Sequence, residues 1–139
     1  KICYNSIMKN EYNTSEHLVY LCRYHVIFCP KYRRKIFVDG IDVRTKEIFL
    51  ETAKSHQFEI MEMEVMPDHV HLLISCNPRY GIMQCVTDLK RDSSYKLIRE
   101  FPSIRKRIPC LWTRSAFIAT VGSVSLETVK QYIESQKGK

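Results

Sequence analysis

Met66-Pro67-Asp68-His69-Val70-His71-Leu72-Leu73-Ile74-Ser75 is the stretch that organises the chain. Pro67-Asp68 reads as a turn, and the apolar run behind it as a buried strand. Alternate side chains of a strand share a face, so Val70, Leu72 and Ile74 point into a core. His69 and His71 point the other way, with Cα atoms roughly 6.5–7 Å apart. Two imidazoles side by side on a rigid strand can share one metal ion, which makes the chain a candidate metal-dependent enzyme.

Working outward, Phe58 to Val65 reads as the strand before this one and Val19 to Cys29 as a long strand rich in β-branched and aromatic residues, ended by Pro30. Asp42 caps a helix running to about His56, with Ile48, Phe49, Thr52 and Ala53 on one face. Ile82, Cys85, Val86, Leu89, Ser93 and Leu97 recur at helical spacing, which predicts a helix to about Glu100. Phe101 to Pro109 is a basic loop or short helical piece, and Ser115 to Val121 a fourth strand. Ser125 caps a last helix reaching about Lys137. Residues 1–16 are polar and unpatterned and read as a mobile arm.

The order β-α-β-β-α-β-α contains the ferredoxin-like split βαβ pattern, an α+β fold with one antiparallel sheet and helices on one face. In that arrangement the first and third strands are central. The histidine pair then lies on the open face of a central strand, and the last helix is an addition to the pattern. With 139 residues and no linker or repeat, the chain reads as a single domain over 1–139.

Composition narrows the partners. The chain is 45% hydrophobic and 27% charged, which is ordinary globular usage. No apolar run approaches the ~20 residues of a membrane span. A net charge of +7 favours a polyanion, most often nucleic acid. Six cysteines include no Cys-x-x-Cys pair, and they read as reduced thiols of a cytosolic protein.

A two-histidine site needs more ligands. Tyr132 and Gln136 stand one helical turn apart and share a face. Gln136 offers a carbonyl oxygen and Tyr132 a phenol, a weak nucleophile at neutral pH because its pKa is near ~10. Imidazoles with an amide oxygen suit Mn²⁺ or Mg²⁺. Cys76 falls on the opposite strand face from the pair, which counts against a zinc site. Taken singly, each of these residues also reads blandly: His-x-His as two half-exposed histidines, Tyr132 as packing, Gln136 as a solvated amide. Their joint occurrence in a basic chain points to chemistry.

Met-Pro-Asp-His-Val-His-Leu-Leu-Ile at 66–74 and Tyr-Ile-Glu-Ser-Gln at 132–136 resemble the two signature segments of the single-tyrosine transposases of the insertion-sequence 200/605 type, which belong to the HUH class of single-strand nucleases and to one superfamily with the REP-associated tyrosine transposases. Weaker matches accompany them at 24–35, at Leu89-Lys90 and from Leu111-Trp112 through Thr120-Val121-Gly122. The resemblance spans roughly residues 20–137. Arg91 and Ser115 stand where the family often has glycine, which puts details of DNA contact in doubt but not the reaction.

The resemblance implies that His69, His71 and Gln136 ligate Mg²⁺ or Mn²⁺ and that Tyr132 attacks single-stranded DNA, leaving a 5′-phosphotyrosine link and a free 3′-OH. It implies hairpins at the ends of a mobile element as the DNA recognised, and a homodimer whose tyrosine helix can complete the partner's site. It also implies a prokaryotic cytoplasmic protein, nucleoid-associated when bound to DNA. A domesticated relative cleaving dispersed genomic hairpins would carry the same residues.

Lys31, Arg33, Arg34 and Lys35 around Tyr32, with Lys90 and Arg91, are the first candidates for DNA contact. Tyr32, Tyr80 and Trp112 are candidate stacking platforms, Trp112 equally a core residue. His25 reads as a packing or DNA-contact histidine, His17 and His56 as surface residues. Two other classes compete: a non-catalytic single-strand binder, which would want aromatics where His69 and His71 stand, and a zinc hydrolase, for which Gln136 is a poor ligand.

Overall fold

The computed structural model describes residues 12–122 and residue 127. They fall in two units, Cys22–Thr120 and a smaller one holding a two-stranded hairpin. The C-terminal helix expected from Ser125, with Tyr132 and Gln136, lies outside the described residues.

The hairpin pairs β1 (Asn13–Ser15) with β2 (Leu18–Tyr20), Asn13 opposite Tyr20 and Ser15 opposite Leu18. His17, the second of the two residues in the turn, takes a positive φ of +58°. Two expectations are corrected here. Asn13–Ser15 is a strand rather than part of an arm, because pairing with Leu18–Tyr20 recruits this polar segment into a hairpin. The run from Val19 to Cys29 is not one strand; its start joins the hairpin and its remainder a different sheet.

That sheet contains β3 (Arg23–Phe28), β4 (Glu59–Met66), β5 (His69–Ser75) and β6 (Phe117–Thr120), all antiparallel, in the order β4-β5-β3-β6. β3 and β5, the first and third strands of the ferredoxin-like pattern, are central as expected. Helix α1 (Ile41–His56) follows β3, α2 (Ile82–Glu100) follows β5, and the short α3 (Ser103–Arg107) follows α2.

Alternation decides which sheet face the helices cover. Val26 and Phe28 of β3 and Val70, Leu72 and Ile74 of β5 are at most 1% exposed. They pack with Ile48, Phe49 and Ala53 of α1 and Cys85, Val86, Leu89 and Leu97 of α2. Burying each large aliphatic side chain contributes about 1.5–3 kcal/mol. Trp112 is core, not platform: it stacks on Phe37, meets Phe28 edge-on at 4.7 Å and donates its indole N–H to Ser93 Oγ at 2.9 Å.

α1 begins one residue before Asp42, on Gly40 at φ +93°, so Asp42 sits in the first turn rather than capping. Its charge still favours the helix N-terminus. Arg44 of α1 clasps Glu100 of α2 with two hydrogen bonds, 2.7 and 3.0 Å. Cys22, Cys29, Cys76, Cys85 and Cys110 are all free thiols. No helix among the described residues is long and apolar enough to cross a membrane.

Candidate active site

α1 and α2 pack on one face of the sheet, and β5 presents His69, His71 and Leu73 on the other. β5 is flanked on both sides, so the register fixes the neighbours. His71 stands opposite Glu64 of β4 and Ile27 of β3, and His69 opposite Met66. Glu62, Glu64, His71 and Leu73 line a shallow cleft along the β4–β5 seam. Met61 forms a bulge, which brings Glu62 and Glu64 onto the open face in step with His71.

Asp68, in the two-residue turn between β4 and β5, reaches two side chains. His69 Nδ1 lies 2.8 Å from Asp68 Oδ1, and Arg33 Nη2 donates to Asp68 Oδ2 at 2.9 Å. The hydrogen bond from His69, then that from Arg33, holds the Asp68 carboxyl below its ordinary value. An ionised carboxylate only accepts, so His69 Nδ1 is the donor in this bond. The turn is itself anchored: Phe37 N–H donates to the Pro67 carbonyl at 3.1 Å.

His25 also comes to this site. Its Nδ1 lies 3.1 Å from His71 Nε2, with ring centroids 5.2 Å apart. His25 pairs with Leu73 across the β3–β5 seam, so its ring is a diagonal neighbour of His71. The contact depends on strand register, which the sequence does not spell out. Asp68 could have been found from sequence, as a carboxylate in the turn next to a candidate ligand.

The described residues offer a divalent cation two imidazole ligands. The two histidines share a face, and one has its second nitrogen fixed by a carboxylate. Among the described residues no third His, Cys, Asp or Glu completes a ligand cluster with them. Cys76 is buried on the other face. The expected further partners, Gln136 and Tyr132, lie outside the described residues.

The candidate DNA-contact residues divide. Lys31–Arg33 form a single 3₁₀ turn in which Tyr32 and Arg33 have φ of +59° and +49°. Tyr32 is 64% exposed, with the Lys31 ammonium 5.4 Å from its ring. Arg34 and Lys35 are exposed. The Lys90 ammonium, partly buried, donates to the carbonyls of Thr113 and Ser115 at 2.9 and 3.0 Å and lies over the Phe28 ring. Burial pushes its pKa down. Arg91 is half-exposed and pairs with Asp88 and Asp92. Tyr80 donates its hydroxyl to Asp88, and burial followed by that bond pushes its pKa up to about 12.

The family model for IS200-like transposases matches residues 18–136, both signature segments included. The chain belongs to the IS200-like transposase family. ISDra2 transposase TnpA of Deinococcus radiodurans is 37% identical over 123 residues, 87% of this chain and 88% of that protein. The transposase for insertion sequence element IS200 of Salmonella typhimurium is 29% identical over 122 residues, 86% and 80% of the two chains. A Deinococcus radiodurans R1 protein, solved at 1.90 Å as a candidate transposase, superposes with a TM-score of 0.73 at 32% identity, covering 89% of this transposase and 97% of that chain. A REP-associated tyrosine transposase bound to a REP hairpin shares the fold, with a TM-score of 0.55 at 13% identity over 88% of this chain and 68% of that one. The open-face histidines therefore belong to a DNA transposase.

Proposed function

We propose that this transposase cleaves and rejoins single-stranded DNA at hairpin-marked element ends through a 5′-phosphotyrosine intermediate. The observation that carries the reading is the pair His69 and His71 on the open sheet face, with Asp68 on His69 Nδ1. These histidines, with Gln136, would hold Mg²⁺ or Mn²⁺. When bound, the ion would polarise the scissile phosphate and orient it.

The Tyr132 oxygen forms a bond to phosphorus as the bond from phosphorus to the 3′ oxygen breaks. The phenol proton passes to solvent, and the departing 3′ oxygen takes one up. Rejoining reverses the sequence, a 3′-OH displacing Tyr132. The phosphodiester energy stays in the intermediate, so no ATP is consumed.

Charge supports a DNA path over the 31–35 turn. Glu59, Glu62 and Glu64 make the β4 edge acidic, whereas Arg34 and Lys35 give the turn exposed positive charge. Tyr32 offers a base an exposed ring. The family resemblance supplies the hairpin, the homodimer and the assignment of Tyr132 and Gln136 to this centre.

The test is a denaturing gel. Purified protein meets labelled single-stranded DNA carrying element ends, with Mg²⁺, with Mn²⁺ and with EDTA. A metal-dependent covalent shift, absent in Tyr132→Phe, is the expected result. Cleavage without an adduct would instead make the protein a metal hydrolase, and binding with neither a hairpin-binding module.

A further inference from the structure

We propose that Asp68 is a positioning residue: it holds His69 in the tautomer whose Nε2 lone pair is available to a divalent cation. The inference rests on the reading of His69 as a metal ligand and adds the group that sets its ring.

Three observations converge on Asp68. Its Oδ1 lies 2.8 Å from His69 Nδ1, and a carboxylate there demands a proton on Nδ1. Its Oδ2 accepts from Arg33 at 2.9 Å, so the carboxylate is tied at both oxygens and cannot rotate away without breaking one bond. Its turn is fixed from outside by the bond from Phe37 N–H to the Pro67 carbonyl. The Arg33 end is also unusual, since Tyr32 and Arg33 both take left-handed backbone angles that L-residues adopt reluctantly. That local conformation accompanies the link between the basic turn and Asp68.

A neutral imidazole chooses between two tautomers, and only one offers Nε2 to a metal. A hydrogen bond from the other nitrogen to a carboxylate makes that choice and fixes the ring's direction. Asp68 would act through His69, without touching substrate.

The test uses the full chain with Asp68→Ala and Asp68→Asn, the second keeping an accepting oxygen and nearly the same shape. The first readout is the ¹⁵N spectrum of the metal-free protein at pH 8, which reports the tautomer of each histidine. The second is Mn²⁺ alone, titrated and followed by the electron paramagnetic resonance of the free ion. Wild type should carry the His69 proton on Nδ1. Asp68→Ala should move it to Nε2 and weaken Mn²⁺ binding on the order of 10–100-fold, with Asp68→Asn between the two. Should Asp68→Ala fail to fold, Asp68→Leu, which likewise offers no acceptor, carries the same comparison.

A His69 proton that stays on Nδ1 when the side chain at 68 offers no acceptor overturns the proposal, as does an unchanged Mn²⁺ affinity in that variant. If wild type binds no Mn²⁺ while Asp68→Ala still shifts the proton, control of the ring by Asp68 stands and the metal reading of the site falls.

Discussion

His25 Nδ1 stands 3.1 Å from His71 Nε2 across the seam between β3 and β5. In that contact one ring nitrogen donates and the other accepts. Both histidines of the pair thus have one nitrogen engaged from outside it, His69 by Asp68 and His71 by His25. Removing such a partner releases the ring's orientation. His25→Ala should therefore lower Mn²⁺ affinity about tenfold. Calorimetric titration with Mn²⁺ checks this, and a rise in affinity would mean that His25 competes with the metal for His71 Nε2.

Lys90 and the 31–35 turn should separate in their response to salt. The Lys90 ammonium is occupied by two carbonyls, whereas Arg34 and Lys35 make no ion pair among the described residues. Removing one cation that touches a phosphate lowers the slope of log affinity against log salt by roughly 1. Arg34→Ala and Lys35→Ala should each show that decrease on a hairpin oligonucleotide. Lys90→Met should keep the wild-type slope and cost about 1–3 kcal/mol of stability, because two carbonyls are left without their donor. Fluorescence anisotropy across a salt series and urea unfolding decide between the two roles; a reduced slope in Lys90→Met would return Lys90 to the DNA.

Asp88 on α2 is 1% exposed yet ionisable. Burial pushes its carboxyl up, but hydrogen bonds from Tyr80 and Gln84 and the charges of His56 and Arg91 outweigh it and leave it below its ordinary value. A depressed carboxyl contributes stability above its unfolded pKa, near ~4, and loses it as pH falls through the folded value. Asp88→Asn should cost about 1–3 kcal/mol at pH 7. Its stability should then fall less steeply than wild type's as pH drops below about 4. Urea midpoints across that range measure the difference, and parallel curves would show that Asp88 does not drive the acid response.

The signals that succeeded in the sequence are periodic ones. Val70, Leu72 and Ile74 at spacing two mark the buried face of β5, and hence the exposure of His69 and His71. Cys85, Val86, Leu89 and Leu97 mark the inner face of α2 with its observed bounds. What escaped depends on partners distant in the chain. The hairpin at Asn13–Ser15 has no strand-like composition, and the break at Leu21-Cys22 follows from two different pairing partners. His25 meets His71 only once β3 and β5 are in register, 46 residues apart in sequence. Lys90 resembles a free cation in the sequence because the carbonyls it serves lie 23 and 25 residues on.

Sharing of the proposed tyrosine between two copies of the chain is open to a direct test. His71 belongs to the main sheet, and Tyr132 lies outside the described residues on a segment that the resemblance assigns to exchange between subunits. On the proposed mechanism, Tyr132→Phe keeps the histidines and lacks the nucleophile, while His71→Ala keeps the nucleophile and lacks a ligand. Each alone should form no adduct. In a mixed homodimer with shared sites, the histidines of the first and the tyrosine of the second make one intact centre, so mixing the two inactive proteins should restore partial cleavage. Subunit exchange is verified first with differently tagged chains, and adducts are then counted on a denaturing gel. The adduct should run at the size of the His71→Ala chain, since only that chain carries the tyrosine. Absence of adduct after verified exchange would place Tyr132 and the histidines of each centre on the same subunit.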